Sequence, residues 1–151
     1  MRTGRWLPIL CVIVGFDTLG CFPSSRDSSF FGEYKRNHEI GLADSTGWVT
    51  TTVTDSLVLA PISDGKISFE FFLNHDNGHT CWMQGVAIPV DGYFEYRESR
   101  KNIINEALEC VLRIRVSLEA VTLEDETSWC TRIYCGVRGY IDGISFSRGA
   151  K

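Results

Sequence analysis

The sequence is short of basic charge. Its 15 lysines and arginines face 19 acidic residues, giving a formal net charge of −4 over 151 residues. That balance excludes the basic stripe with which nucleic-acid binders neutralise phosphates, so no nucleic-acid partner is expected. An apolar run long enough to cross a bilayer is missing as well. The run at residues 6–16 (WLPILCVIVGF) has the length of a signal-peptide core, whereas a span needs about 20 residues. Catalytic motifs are absent: there is no Gly-x-Ser-x-Gly elbow, no H-E-x-x-H zinc helix, no phosphate-cradling glycine loop and no EF-hand spacing. No acid, base and nucleophile converge, so the expectation is a non-enzymatic protein without a cofactor. There is no internal repeat and almost no helical periodicity. What is present is 44% hydrophobic residues in a length suited to one domain, which excludes a wholly disordered chain.

The N-terminus carries an address. Residues 1–5 hold Arg2 and Arg5 and no acid; the apolar run follows, then Asp17, Thr18, Leu19, Gly20 and Cys21. A basic start, an apolar core and a small residue ahead of a cysteine resemble a bacterial lipoprotein signal, in which the bond after Gly20 is cut and Cys21 carries lipid. Gly20 and Leu19 suit that pattern. Thr18 stands where leucine is usual, and Asp17 places a charge close to the cut. The alternative is an ordinary secretory signal cut near the same place, giving a soluble secreted protein. The expected organisation is a signal peptide over residues 1–20, a serine-rich lipid-anchored tether over 21–30 and a folded domain over 31–151, on the periplasmic side of a membrane. Removing the signal takes away Arg2, Arg5 and Asp17, so the exported part is one charge more negative than the whole chain.

The body reads as strands. Alternation marks residues 48–54, 56–62, 66–73, 80–88, 93–98, 110–118, 121–123, 129–134 and 140–146. Asp64-Gly65, Asn77-Gly78 and residues 89–92 are turn signals between them. Residues 99–109 break the pattern and are expected to be a loop or one short helix. On 110–118, Cys110, Leu112, Ile114, Val116 and Leu118 point one way, and Val111, Arg113, Arg115 and Ser117 point to solvent. Seven to nine short strands joined in sequence by short turns predict an all-β, antiparallel up-and-down barrel of the calycin kind, with a β-sandwich as the alternative. The inward set (Phe69, Phe71, Met83, Phe94, Leu112, Ile114) either fills that barrel or lines a cavity for a small apolar ligand.

Once Cys11 goes with the signal and Cys21 with the anchor, four cysteines remain: Cys81, Cys110, Cys130 and Cys135. An oxidising compartment makes two disulfides of them. Three connectivities are possible; Cys130 with Cys135 across the closing bend, and Cys81 with Cys110, is the preferred one. Zinc at Cys130-x4-Cys135 competes weakly, because no second close pair completes a ligand set.

His75, Asp76 and His79 crowd one loop. Metal binding or acid–base work needs partners that the spacing does not supply, so a polar hairpin loop is the plainer expectation. Glu95 and Glu98 flank Arg97 on a charged outer face. Tyr134 and Tyr140 flank a glycine-rich bend with Arg138 and Asp142, where polar-tipped aromatics suit recognition.

Three stretches carry a resemblance: NGHTCWMQG at residues 77–85, ECVL at 109–112 and CTRIYCGVRGYIDG at 130–143. They resemble a group of small envelope proteins and lipoproteins of Gram-negative bacteria, some of them described as lysozyme-inhibitor-like, over roughly residues 67–146. The resemblance implies a small disulfide-bridged periplasmic β-barrel that works by binding. Membrane-bound lysozyme inhibitors carry a Ser/Gly-rich inhibitory loop ending in Tyr, which this chain lacks, so no inhibitory residue carries over. The expected function is a binding module, with a basic lysozyme-like cell-wall hydrolase as the partner. Its expected surface is His75, Asp76, His79, Tyr134, Arg138, Tyr140 and Asp142. A carrier of an apolar ligand or lipid, and an immunity protein against a wall-degrading toxin, are the alternatives.

Overall fold

The computed structural model describes residues 28–45, 47–101 and 104–149. The expected signal, Cys21 and most of the expected tether lie outside the described residues. Eight strands follow one another in space as in sequence: β1 (Gly32–Asp44), β2 (Gly47–Pro61), β3 (Ile67–His75), β4 (His79–Val90), β5 (Tyr93–Lys101), β6 (Ala107–Val116), β7 (Ala120–Asp125) and β8 (Ile144–Ser147). All are antiparallel to their neighbours, and β8 returns beside β1, so the sheet is an up-and-down, nearly closed barrel. Closure removes most of the exposed edge that an open sheet would present. A short helix, α1 (Trp129–Tyr134), sits between β7 and β8.

Alternation places the core. Ile67, Phe69, Phe71 and Leu73 on β3, Cys81, Met83 and Ala87 on β4, and Cys110, Leu112 and Ile114 on β6 are all buried. Phe71, Met83, Leu112, Ile114, Leu123 and Phe146 have no accessible surface, so no void large enough for water touches them. Asp64 and Asn77 adopt φ of 61° and 59° ahead of Gly65 and Gly78, the left-handed backbone that their hairpin turns require.

The structure corrects several sequence expectations. Residues 48–54 and 56–61 belong to one long strand, β2, with Ile62 just past its end, and its partner β1 runs through a region of weak patterning. Strand β5 continues to Lys101 instead of yielding to a loop or helix at residue 99. Residues 129–134 are helical rather than extended. Asp125 accounts for this by accepting the Cys130 and Thr131 N–H groups on its two carboxylate oxygens (3.3 and 2.7 Å), satisfying donors at the helix start. Of the 140–146 segment only residues 144–146 are extended, in a strand that ends at Ser147. Val111 is buried under the turn after β7, with its N–H bonded to Thr127 Oγ1 (3.3 Å), and Leu118 lies in the β6–β7 turn, 89% exposed.

The disulfides are Cys81–Cys135 and Cys110–Cys130, not the preferred pairing. With residues 129–134 coiled as α1, Cys130 and Cys135 face different strands. Cys81 on β4 and Cys110 on β6 have β5 between them in strand order. All four thiols are consumed, which leaves none for zinc. The two bridges clip α1 to β6 at its start and to β4 just past its end. They do so where the barrel wall parts: β4 pairs with β5 only over Ile88–Val90 and Tyr93–Glu95.

Below that clip Tyr96 turns its ring onto β4 and meets Phe69 edge-on at 5.5 Å. Gly85 makes room for it, since a Cβ there would stand 2.6 Å from Tyr96 Cε2 and 3.0 Å from Phe69 Cε1. Gly85→Ala is therefore expected to cost about 1–3 kcal/mol through overpacking. Its urea midpoint should fall with the slope unchanged, and an unaltered midpoint would show that the ring moves aside freely.

Because strands alternate in direction, the connections collect at two ends. The α1 end holds the β1–β2 and β3–β4 turns and the 126–143 segment. The entry end holds the start of β1, the β2–β3, β4–β5 and β6–β7 turns, and the close of β8.

Candidate functional site

The two loops that carry the sequence candidates meet at the α1 end. His75 closes β3 and is buried. Its Nε2 accepts the Tyr140 N–H (3.3 Å) and lies 3.4 Å from Cys81 Sγ; the Tyr140 ring packs 4.5 Å from the imidazole, centroid to centroid. One residue into the partner strand, Thr80 C=O accepts the Gly136 N–H at 2.9 Å. Residues 135–140 thus form a strap tied down by a disulfide, a hydrogen bond at each end and a ring contact. Gly139 lets the strap lie close, because a Cβ there would stand 2.8 Å from Cys135 Cβ and 3.0 Å from Cys81 Sγ. His79 lies beside Gly136, whose Cβ would come 3.5 Å from Nδ1.

Asp76 works on the opposite side of the turn. Its Oδ1 accepts the Gly41 N–H (2.7 Å), and Asn77 Oδ1 accepts the Ala43 N–H (3.0 Å). These are edge amides of β1, which the two side chains satisfy in place of a neighbouring strand. The Trp48 ring covers Gly41 from the β2 side. This end consequently presents Trp48, Val137 and Tyr140 to solvent, 68%, 77% and 53% exposed, with Arg138 exposed between the last two.

His75, Asp76, His79, Arg138 and Tyr140 are brought to one end as neighbours on two joined loops. Tyr134 and Asp142 lie at the same end but serve other partners. Tyr134 O–H donates to Glu98 Oε2, which also accepts the Tyr96 O–H (2.9 Å), while Arg100 Nη2 donates to the Tyr134 oxygen (3.1 Å). Burial and the Glu98 carboxylate push both phenols above their usual range. Asp142 accepts the Asp125 N–H (3.1 Å), bracing the residue that starts α1. Glu95, expected on a solvated face, is buried between Arg97 and Arg113.

Behind His75 stands a polar cluster that the sequence reading missed. Asp55 is fully buried and accepts from Arg36 Nε (3.0 Å) and from the Asn74 N–H and Nδ2 (2.7 and 3.2 Å). His38 Nε2 lies 3.1 Å from Asp55 Oδ2, without hydrogen-bond alignment. Burial alone would raise the Asp55 carboxyl, but the donors and the Arg36 charge outweigh it and hold the carboxyl below its ordinary value. His75 moves the other way in charge: burial disfavours its imidazolium, Asp55 offsets part of that, and Arg36 and His38 add to it. The result is a lowered imidazole pKa and a neutral ring at neutral pH. Asp55 has a sequence signal, because it shares inward parity with Leu57 and Leu59 on β2, where a carboxylate is out of place unless paired.

Among the described residues no group of three His, Cys, Asp or Glu is arranged to hold a metal ion. On the outer wall a shallow groove of about 480 Å³ lies over β2–β4, lined by residues including Val58, Glu70, Gln84 and Val86. Known protein families, curated proteins and solved structures were all compared with the chain, and none matches it.

Proposed function

We propose that this chain is an extracytoplasmic binding module, held at a membrane by lipid on Cys21, that engages another protein with the α1 end of its barrel. The observation that carries this reading is the strap. Tyr140 and Val137 stand in solvent on a segment fixed by Cys81–Cys135 and seated on buried His75. An exposed aromatic on a preorganised segment loses little conformational freedom on association, which is the physics of an interface anchor. Trp48, on the β1–β2 hairpin at the same end, adds a second exposed aromatic.

The partner class that fits is a basic cell-wall hydrolase of the lysozyme kind. A net charge of −4 on the whole chain, one unit more negative once the proposed signal is cut, steers encounter with a cationic protein, and a rigid strap covering the substrate cleft inhibits sterically. An immunity protein against a wall-degrading toxin would use the same surface on another enzyme. A ligand carried inside the barrel is disfavoured, because the central side chains leave no accessible room around them.

The test is inhibition and binding by the purified chain across several classes of basic lysozyme. Tyr140→Ala is expected to weaken binding on the order of tenfold or more, with folding unchanged. Val58→Ala on the far wall should have no effect. Association should slow as salt rises, because steering between exposed charges is screened. Absence of both binding and inhibition across all classes would refute the hydrolase reading.

A further inference from the structure

We infer that the entry end of the barrel rests on the lipid surface through Leu118 and Ile62, and that the strap is thereby held facing away from the membrane. The inference builds on the proposed anchoring at Cys21. Topology supplies the first step: β1 starts at the end opposite the strap, so the anchored segment leaves there. The exit is fixed by Arg148, whose Nη2 donates to Ser29 Oγ (2.8 Å), Nη1 to the Ser117 C=O (2.6 Å) and backbone N–H to the Glu119 C=O (2.7 Å). One arginine therefore joins the beginning of the described chain, the end of β8 and both shoulders of the β6–β7 turn. Leu118 is the tip of that turn and the most exposed large apolar side chain described, at 89%; Ile62, in the β2–β3 turn of the same end, is 41% exposed.

The point of attachment favours one orientation. Cys21 lies seven residues before Ser28, a reach of at most about 25 Å fully extended. The barrel is leashed by its entry end, so that end, rather than the strap, is the one kept near the lipid to which Cys21 is bound. Its entry end stays within reach of the surface at high effective concentration, where even one or two apolar tips find interfacial sites. Asp64, Lys66, Asp91, Glu119 and Arg148 nearly balance at this end, so the contact is apolar and should persist at high salt.

The full chain is expressed in a Gram-negative host with an environment-sensitive fluorescent amino acid at position 118 or at position 140. It is then purified and reconstituted into phosphatidylethanolamine/phosphatidylglycerol vesicles containing a spin-labelled quencher lipid. Mass spectrometry of the N-terminal peptide reports lipid on Cys21 independently of the probe. The expected result is a lipidated chain whose fluorescence is lost at position 118 and retained at position 140, unchanged by salt. A lipidated chain with no quenching at 118, or with quenching at 140, overturns the orientation and leaves the anchor standing. An N-terminal peptide without lipid overturns the anchor and the orientation with it.

Discussion

Replacing Cys81 and Cys135 together by alanine should cost about 4 kcal/mol, and replacing Cys110 and Cys130 about 3 kcal/mol, from loop closures of 54 and 20 positions. In a domain of this size the larger loss lowers the melting temperature on the order of 15 °C. The two variants should differ more in where they loosen than in how far they fall. Cys81–Cys135 ties the end of α1 and the strap to β4, whereas Cys110–Cys130 ties the start of α1 to β6, where Asp125 also holds it. Losing the first frees residues 136–140 with only the Thr80 and His75 contacts left. Losing the second leaves the strap pinned. Native-state hydrogen exchange separates them: the Gly136, Gly139 and Tyr140 amides should exchange faster in the Cys81/Cys135 variant at denaturant levels where the other variant still protects them. Equal protection in both would mean that the strap is held by its hydrogen bonds alone. The same variant should lose partner binding beyond what its stability explains, because the strap would have to be ordered on binding.

The barrel was legible because its information is local. Period-two alternation on 66–73, 80–88 and 110–118, together with DG and NG turns, determines a meander before any long-range contact is considered, and β3, β4 and β6 form with the inward faces those patterns mark. What failed to show was whatever depends on two distant segments. Residues 129–134 (WCTRIY) look like a strand by composition, and they coil because Asp125 and two cystines capture them. The expected Cys130–Cys135 staple across a bend fails for the same reason, since α1 turns the two cysteines toward β6 and β4. Val111 reads as a solvent-facing residue until the turn after β7 folds over it. At the site, the 74–79 loop and the Tyr140 bend were both marked, each for its own residues. Nothing in either loop announces that His75 receives the Tyr140 N–H, or that Arg36, His38 and Asp55 stand behind it on a hairpin of weak pattern.

That cluster should make the protein sensitive to acid, in two windows. Asp55 is held below its ordinary value of 3.8, so the unfolded chain takes up its proton first as pH falls; the stability Asp55 contributes is complete above 3.8 and is lost as pH drops through the folded value. His75 is held below its ordinary 6.5, so its contribution is complete above 6.5 and declines as pH falls from there toward its folded value. Asp55→Asn is expected to cost about 3 kcal/mol at neutral pH, because it leaves the Arg36 guanidinium without its carboxylate and weakens an acceptor for the Asn74 N–H. It should also abolish the lower window. The two windows are coupled: Asp55 partly offsets the burial that depresses His75, so Asp55→Asn drives the imidazole lower still and deepens the loss below 6.5. His75→Gln should remove that upper window and keep an acceptor for the strap. Urea midpoints measured between about pH 2 and 8 on the wild type, both single variants and the double variant settle the assignment. A His75→Gln profile parallel to wild type below 6.5 would place the acid sensitivity elsewhere. Protonation of His75 at Nε2 takes away the lone pair that receives the Tyr140 N–H. Partner affinity should therefore fall in the same window as stability, and fall least in His75→Gln.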